Sequence, residues 1–405
     1  MESLIYNRKL SLPDLHYASV GSRAHHQEQV ISQCVVEGEG VVDYERIKAT
    51  LVKLAEAVPS CRLLLQGFWG FKRWRAIGPL PNVKVITCEW DGHYQQGLSF
   101  LNGPLDLFKG PVAEIIHVVS ANKTFFVFRV HHAVMDGVGM QHFILNFFRI
   151  LRDETPELFD SPLVFENIPE GDTFVARQPI NHAITPLGSP DYSQLGNDAR
   201  VNDSVWYRLS IPVNDMLLLV KVVLALAEIA REEQQGLVRF NVPIDLRRQL
   251  ADDVRTSGNF VGNVVLDVAE DETIRSLTKK FNRQLGVARV LVAAKRLSRI
   301  VRWTPFFVVQ WIVSGILKRS TGRTKFTFSG TVSTIGFVEL PAFSTSEFRA
   351  TSYFGIPLAP KLSPLFVVVT SNETGSEVVL GAPQAMATDD RLTQLAKKLG
   401  TKLIG

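Results

Sequence analysis

Two adjacent histidines and an aspartate form the group of side chains best suited to chemistry in this sequence. The run His-His-Ala-Val-Met-Asp-Gly occupies residues 131–137. A histidine with an ordinary pKa of about 6.5 takes a proton from an alcohol or amine near neutral pH, so it suits general-base catalysis. Asp136 could hold the turn or fix the imidazole tautomer. Gly137 permits a tight turn, including one with positive φ, and its N–H is available to developing negative charge.

Only one of the two histidines can face a reaction site. Side chains that are neighbours along a strand point to opposite faces, so either His131 or His132 is structural. A histidine on an apolar strand is commonly a hydrogen-bonded core residue, and this alternative stays open for the pair. A metal site is the weaker alternative, because the ligands point apart and no second His/Cys/Asp/Glu cluster completes a set. We therefore predict no metal.

The elements beside the motif are predicted from their patterns. Residues 124–130 are almost continuously apolar, as in a strand that is covered on both faces. Residues 139–152 carry apolar side chains at helical spacing, which predicts a helix with a wide apolar stripe. The motif thus follows a strand and precedes a helix, where α/β proteins place reactive groups.

The rest of the chain alternates strands and helices in two similar halves. A helix is predicted over residues 43–57, with Asp43 as its N-cap and Pro59 ending it. The proline-rich stretch at 153–202 indicates a linker or a functional crossover. We predict one α/β lobe over 1–175, a linker over 176–202 and a second lobe over 203–405. The other predicted strands are 29–37, 62–66, 84–87, 112–119, 205–211, 237–242, 263–268, 325–332, 365–370 and 377–380. The later predicted helices lie at 216–231, within 272–318 and at 390–403.

Composition excludes several classes of protein. The 405 residues carry a net charge of only +4, with 46% hydrophobic and 21% charged residues, a balance typical of a globular protein and not of a nucleic-acid binder. Three cysteines without a CxxC pair argue against a disulfide framework. No signal-peptide stretch and no run of about 20 apolar residues is present. We expect a monomeric protein of the cytoplasm.

Several segments together resemble a known superfamily. The residues at 131–137 match all five specified positions of the HHxxxDG signature of condensation domains and related acyltransferases. Their relatives include chloramphenicol acetyltransferase, polyketide-associated acyltransferases and wax-ester synthases. The other matching segments lie in family order between about residues 30 and 270, and they are Val-Pro-Ser-Cys-Arg at 58–62, Pro-Leu-Asp-Leu-Phe-Lys-Gly-Pro at 104–111, Val-Pro-Ile-Asp-Leu-Arg at 242–247 and Gly-Asn-Phe-Val-Gly-Asn at 258–263.

The resemblance implies a fold and a role for particular residues. It implies two chloramphenicol-acetyltransferase-like α/β sandwich lobes in one chain, with the active site in a tunnel between them. His132 would be the general base and His131 structural. Asp136 would keep the loop in shape by pairing with an arginine of the second lobe, for which Arg247 is the first candidate and Arg248 the fallback. Asn263 matches an asparagine near the tunnel mouth, and a structural role at a strand edge or in a turn is the open alternative.

The sequence also departs from parts of the superfamily. The Asp-Phe-Gly-Trp-Gly motif of the plant and fungal branch is absent. Where many stand-alone relatives carry Ser-Asn-x-Gly, residues 333–336 read Ser-Thr-Ile-Gly. Ser333 is therefore only a weak match for a residue that lines the tunnel.

The resemblance implies a thioester donor that is met in trans. Acyl-coenzyme A or acyl-phosphopantetheine on a carrier protein would be the co-substrate, a small alcohol or amine the acceptor, and no cofactor would be bound permanently. Residues 273–338 hold thirteen Lys or Arg and no Asp or Glu, which suits coenzyme A phosphates or an acidic carrier protein. A solvated helical face remains the simple alternative. The less favoured alternative is contact with a membrane surface or a long-chain substrate through Trp303, Phe306, Phe307, Val308 and Trp311.

The predicted function is acyl transfer to a hydroxyl or amine, in secondary-metabolite or lipid biosynthesis. The alternative from another class is a non-catalytic, condensation-like docking module for a carrier protein. A third alternative keeps the fold and changes the reaction, as in epimerase-type or cyclising relatives.

Overall fold

The computed structural model describes most of the chain and shows a mixed α/β protein. The described residues are 5–20, 30–67, 72–93, 98–169, 182–188, 204–287, 292–301, 303–321, 326–357, 363–388 and 390–405.

The helices account for most of the outer layers. In chain order they are α1 (Leu12–Val20), α2 (Tyr44–Ala57), α3 (Gly137–Leu151), α4 (Leu218–Glu233), α5 (Ile274–Val287), α6 (Val292–Val301), α7 (Phe306–Thr321) and α8 (Arg391–Ile404).

The strands form three sheets within the described residues. The strands are β1 (Asn7–Lys9), β2 (Ile31–Glu39), β3 (Leu63–Gln66), β4 (Arg73–Ala76), β5 (Asn82–Thr87), β6 (Ala113–Val119), β7 (Thr124–His131), β8 (Ser204–Ile211), β9 (Val238–Asp245), β10 (Val261–Val268), β11 (Gly330–Phe337), β12 (Arg349–Ile356), β13 (Phe366–Ser371) and β14 (Ser376–Pro383). The sheets run in the orders β12-β2-β7-β6-β5, β10-β9-β11-β13-β14-β8 and β1-β4-β3.

The five-stranded sheet carries the histidine motif at the end of β7. Every residue of β7 is buried, as its continuous apolar sequence predicts. One face of this sheet packs against α2 and α3, where Phe126 and Phe128 meet Phe143 and Phe147. The motif thus begins at the edge of a closely packed core.

The six-stranded sheet forms the second half of the molecule. Helices α4 and α8 cover it, and α5 packs on β10. The opposite face of the five-stranded sheet packs against this half, since Phe125 and Val127 share a core with Trp206 of β8 and Val379 of β14. The two halves are therefore joined by apolar side chains.

The predicted elements are largely present, and four were missed. Helix α2 begins after Asp43, whose carboxylate accepts hydrogen bonds from the Glu45 and Arg46 amides, as expected of an N-cap. Strands β1 and β4 and helix α1 were not predicted because each is short. Strand β12 was also missed, although it completes the five-stranded sheet by pairing with β2.

The division into lobes stays a prediction. Strand β12 lies beyond residue 203 in sequence but belongs to the sheet of the first half. The predicted linker at 176–202 falls partly outside the described residues. Its described portion contacts the second half, where the Ile184 amide donates to the Leu237 carbonyl at 3.0 Å.

A buried ion cluster joins the two halves. Arg208 of β8 donates to both carboxylate oxygens of Glu377, at 2.7 and 2.9 Å, and to the carboxylate of Glu37 on β2. Its guanidinium also donates to the Ser352 hydroxyl of β12 and lies over the Phe354 ring. These side chains are buried, and the partly exposed Lys123 also donates to Glu37 at 2.5 Å, so that two cations compensate the two carboxylates.

A close backbone approach joins the halves beside the motif. A Cβ built on Gly139, in the first turn of α3, would lie 2.2 Å from the carbonyl oxygen of Ser257. Any side chain here would push α3 away from the segment at 256–260. Gly137, two residues earlier, faces open space, because a Cβ at this position would have no other atom within 4 Å.

Replacing Arg208 with Met should destabilise the protein by about 3 kcal/mol, because Glu37 and Glu377 would lose their shared counter-charge inside the protein. Urea denaturation measures the change. The matched control is Arg349→Met, which removes an exposed pair with Glu39 that has an N–O distance of 2.7 Å, and it should change the stability by about 0.5 kcal/mol or less. Equal effects of the two substitutions would contradict the assigned role of the cluster.

Replacing Gly139 with Ala should lower the free energy of unfolding by about 1–3 kcal/mol, because the new methyl group overlaps the Ser257 backbone. The control Gly137→Ala should leave the melting temperature unchanged or slightly higher, since alanine favours a helix over glycine by about 1 kcal/mol. Differential scanning fluorimetry compares the two variants. Identical melting curves would show that the approach of α3 to residue 257 does not constrain the fold.

Candidate active site

The end of β7 separates the two histidines. His131 is buried, and its Nδ1 accepts a hydrogen bond from the Ala133 amide at 3.2 Å. Burial lowers its pKa to about 3, so the ring is neutral and packs as part of the core. His132 follows the strand and is half-buried. Of the two histidines, His132 is thus the one whose side chain is partly exposed.

The His132 ring is held on two sides. Its Nδ1 lies 3.2 Å from Oδ1 of Asn259, and the Tyr17 ring stacks on it with centroids 4.0 Å apart. Burial lowers the pKa of His132 below 6.5, while its backbone hydrogen bond, the charge of Asp136 and the Asn259 bond act in the opposite direction. The neutral imidazole is therefore the dominant form at neutral pH.

The amide of Asn259 defines which ring nitrogen carries the hydrogen. Its Nδ2 lies 2.7 Å from Oδ1 of Asp14 and 2.9 and 3.2 Å from the carbonyl oxygens of His132 and Ala133. All three are acceptors, so the NH2 group must face them and Oδ1 must face the imidazole. Oδ1 can only accept, so Nδ1 of His132 carries the hydrogen. Nε2 then has a free lone pair.

The carboxylate of Asp14 is itself fixed. Its Oδ2 accepts hydrogen bonds from Nε1 of Trp74 at 2.9 Å and from the Ser11 amide at 3.2 Å, and Nη2 of Arg8 lies 3.5 Å away. Asp14 belongs to the first turn of α1 and is almost completely buried. A buried chain of hydrogen bonds thus runs from α1 through Asn259 to the imidazole.

Asp136 holds the loop that follows the histidines. It caps α3 by accepting from the Gly139 amide at 2.9 Å, and its other oxygen accepts from the Phe260 amide at 2.8 Å. Nη2 of Arg247 donates to it at 2.8 Å. Burial would raise the pKa of Asp136, but the Arg247 charge and these hydrogen bonds bring it below its ordinary value. The carboxylate is therefore ionised and fastens the motif to the second half.

Arg247 binds both the histidine motif and the segment at 256–260. Besides Asp136 it donates to the Thr256 carbonyl at 3.0 Å and to the Gly258 carbonyl. Arg248, the fallback partner, is exposed and donates to the Leu285 carbonyl. The structure thus places the first candidate, Arg247, against Asp136.

The remaining predicted site residues lie apart from the imidazole or differ in conformation. Gly137 is the first residue of α3 and its φ is not positive, because the extended Asp136 already makes the turn. Asn263 lies exposed in β10 opposite Pro243. Ser333 is half-buried in β11 opposite Val368. The asparagine that contacts His132 is Asn259, four residues before Asn263.

Sequence reasoning missed three residues around the ring, namely Asp14, Tyr17 and Asn259. Asn259 lies in the matched segment at 258–263, but spacing alone did not select it. Asp14 had a local signal, since Ser11 and Asp14 form reciprocal side-chain hydrogen bonds at the start of a helix. Nothing in the sequence indicates that Tyr17 stacks on residue 132.

Two further features bear on the chemistry. Within the described residues, His, Cys, Asp and Glu side chains form no group of three or more that could bind a metal ion. The helices of that part of the chain are too short or too polar to span a bilayer. Two surface hollows lie along α4, α5 and the end of α8, and neither includes His132. The tunnel between the halves therefore stays a prediction.

Comparison with known proteins identifies the fold. No family model and no curated protein matches the sequence. Among solved structures, the first condensation domain of the calcium-dependent antibiotic synthetase, in complex with a substrate analogue, matches with a TM-score of 0.65 and 14% identity, over 100% of this chain and 96% of that one. A mutant starter condensation domain of rhizomide synthetase, in complex with C8-CoA, matches with a TM-score of 0.64 and 15% identity over 98% and 94% of the two chains.

The fold is shared by domains with different reactions. The epimerization domain from the third module of tyrocidine synthetase B matches with a TM-score of 0.55 and 14% identity over 99% and 97% of the chains. These matches confirm the predicted fold class, and at such low identity they concern the fold alone. The protein has the condensation-domain fold.

Proposed function

We propose that this protein is an acyltransferase in which His132 acts as the general base. The observation that carries the proposal is the orientation of the Asn259 amide, which places the hydrogen of the imidazole on Nδ1 and leaves the lone pair of Nε2 available. The packed His131 differs from His132 in both respects, because it is buried and its Nδ1 accepts a hydrogen bond, whereas His132 is half-buried and its Nδ1 carries the hydrogen.

The reaction follows from this arrangement. Nε2 accepts the proton of an acceptor hydroxyl or amine as its oxygen or nitrogen forms a bond to the thioester carbonyl carbon. The tetrahedral intermediate then collapses, the C–S bond breaks, and the departing sulfur takes the proton from Nε2. The imidazolium formed in between is stabilised by the hydrogen bond from Nδ1 to Asn259 and by the nearby charges of Asp14 and Asp136.

The proposed donor is an acyl thioester of coenzyme A or of a carrier protein. The rhizomide synthetase domain was solved with C8-CoA, which supports a coenzyme A thioester as the first candidate. The acceptor is a small alcohol or amine, and the setting is secondary-metabolite or lipid biosynthesis in the cytoplasm. Asp136, Arg247 and His131 act by position, as parts of the scaffold that presents His132.

Replacing His132 with Ala should lower kcat/KM by roughly 10²–10⁴-fold, the contribution typical of a general base, without changing the melting temperature. The assay follows thiol release and product mass with acetyl-, octanoyl- and palmitoyl-coenzyme A against a panel of alcohols and amines. His93→Ala, which removes a half-buried histidine elsewhere, is the control and should retain activity. Wild-type activity of His132→Ala would contradict the mechanism. Thiol release without an acylated acceptor would favour a different reaction on the same fold, and absence of any turnover would favour a docking module.

The pH profile tests the role of Asn259. Since burial lowers the pKa of His132, kcat/KM of the wild type should rise with a midpoint below pH 6.5 and stay level above it. The Asn259 hydrogen bond raises that pKa, so Asn259→Leu should move the midpoint to lower pH. It should also reduce the plateau by roughly 10–100-fold, because the tautomer is no longer fixed.

The control for this prediction is the same substitution four residues later, Asn263→Leu, which should change neither value. Nitrogen-15 NMR of labelled histidine, assigned with His132→Ala, reports the tautomer directly. A reduced plateau with an unmoved midpoint and an unchanged tautomer would show that Asn259 supports only the fold.

A further inference from the structure

An exposed apolar surface lies on α6, α7 and the short connection between them. Six large apolar side chains within sixteen consecutive residues are between 46% and 68% exposed. They are Leu297, Ile300, Trp303, Phe307, Trp311 and Ile312. A solvated helical face would instead present mainly charged side chains, so this segment, called here the α6–α7 surface, requires another explanation.

The side chains of the α6–α7 surface share faces of their helices. Leu297 and Ile300 are three residues apart on α6, and Phe307 and Trp311 are four apart on α7, spacings that place each pair on one side of a helix. Trp303 follows directly, with its amide donating to the Ile300 carbonyl at 3.1 Å. The exposed apolar side chains therefore include one pair on one side of α6 and one pair on one side of α7, with Trp303 between them in sequence.

The inner side of α7 is anchored to the protein body. Phe306 contacts Phe108 with ring centroids 6.0 Å apart, and Val309 is buried. Nζ of Lys72 donates to the Thr304 carbonyl at 2.9 Å, and α7 packs against α1. The exposed side chains are thus held outward by a packed helix.

Basic residues neighbour the α6–α7 surface in the sequence. Arg296 and Arg299 are exposed beside Leu297 and Ile300 on α6. Residues 273–338 contain thirteen Lys or Arg and no acidic residue, so the rest of the chain has a net charge of −9. Of the thirteen, Arg289, Arg302, Arg323 and Lys325 lie outside the described residues. The positive charge near the α6–α7 surface would attract a negatively charged surface.

We propose that the α6–α7 surface binds the anionic surface of a lipid bilayer. Tryptophan and phenylalanine side chains favour the boundary between headgroups and acyl chains, and neighbouring arginines are attracted to anionic headgroups. Protruding aromatic side chains with basic neighbours are the features by which an amphipathic helix lies in that boundary without spanning it. The proposal is independent of the reaction assigned to His132.

Vesicle co-sedimentation of the full chain tests the proposal. Wild-type protein should sediment with vesicles of phosphatidylcholine and phosphatidylglycerol in equal parts, less with phosphatidylcholine alone, and less with added salt. The double variant Phe307→Ser/Trp311→Ser should bind the anionic vesicles at least about tenfold more weakly, because it removes two interfacial anchors. Arg296→Gln/Arg299→Gln should lose the preference for anionic lipid.

The control is Leu158→Ser/Ile404→Ser, which removes two side chains of 58% and 57% exposure elsewhere and should bind as wild type does. Circular dichroism checks that each variant is folded. No sedimentation of the wild type, or equal sedimentation of the Phe307/Trp311 variant, would overturn the proposal. Binding to a purified acidic carrier protein through Phe307 and Trp311, without vesicle binding, would also overturn it and identify a protein-docking surface instead.

Discussion

The buried carboxylate of Asp136 is the interaction on which the rest of the site depends. Its two oxygens bind the first turn of α3, the guanidinium of Arg247 and the amide of Phe260. The bond to Phe260 fixes the residue that directly follows Asn259. The same carboxylate that ends the histidine loop thus presents the asparagine that orients the histidine.

This arrangement places a negative charge inside the protein, and Arg247 and several hydrogen bonds compensate that charge. A buried carboxylate without partners would take up a proton, whereas the Arg247 charge and the hydrogen bonds keep Asp136 ionised. An uncharged asparagine could not accept from all of these donors with both of its polar atoms. The charged form of Asp136 is therefore needed to accept all of these hydrogen bonds at once. It brings segments that are more than a hundred residues apart in sequence to the same imidazole.

The sequence predicted the parts of the site that a local motif encodes. His132, Asp136 and Arg247 lie in matched segments, and the apolar patterns around β7 and α3 placed the motif between a strand and a helix. Asn259 was not selected over Asn263, because that choice depends on where β10 begins. The strand starts at Val261, which leaves Asn263 on its exposed side and Asn259 before it. Asp14 and β12 were missed because their partners are 245 and about 310 residues away along the chain.

Helix α1 connects the catalytic proposal with the proposed membrane surface. Asp14 and Tyr17, on its inner side, reach Asn259 and the His132 ring, and α7 packs against the same helix. All of these contacts are made by a helix of nine residues. One short helix thus contacts both the imidazole proposed as the general base and the helix that carries Phe307 and Trp311.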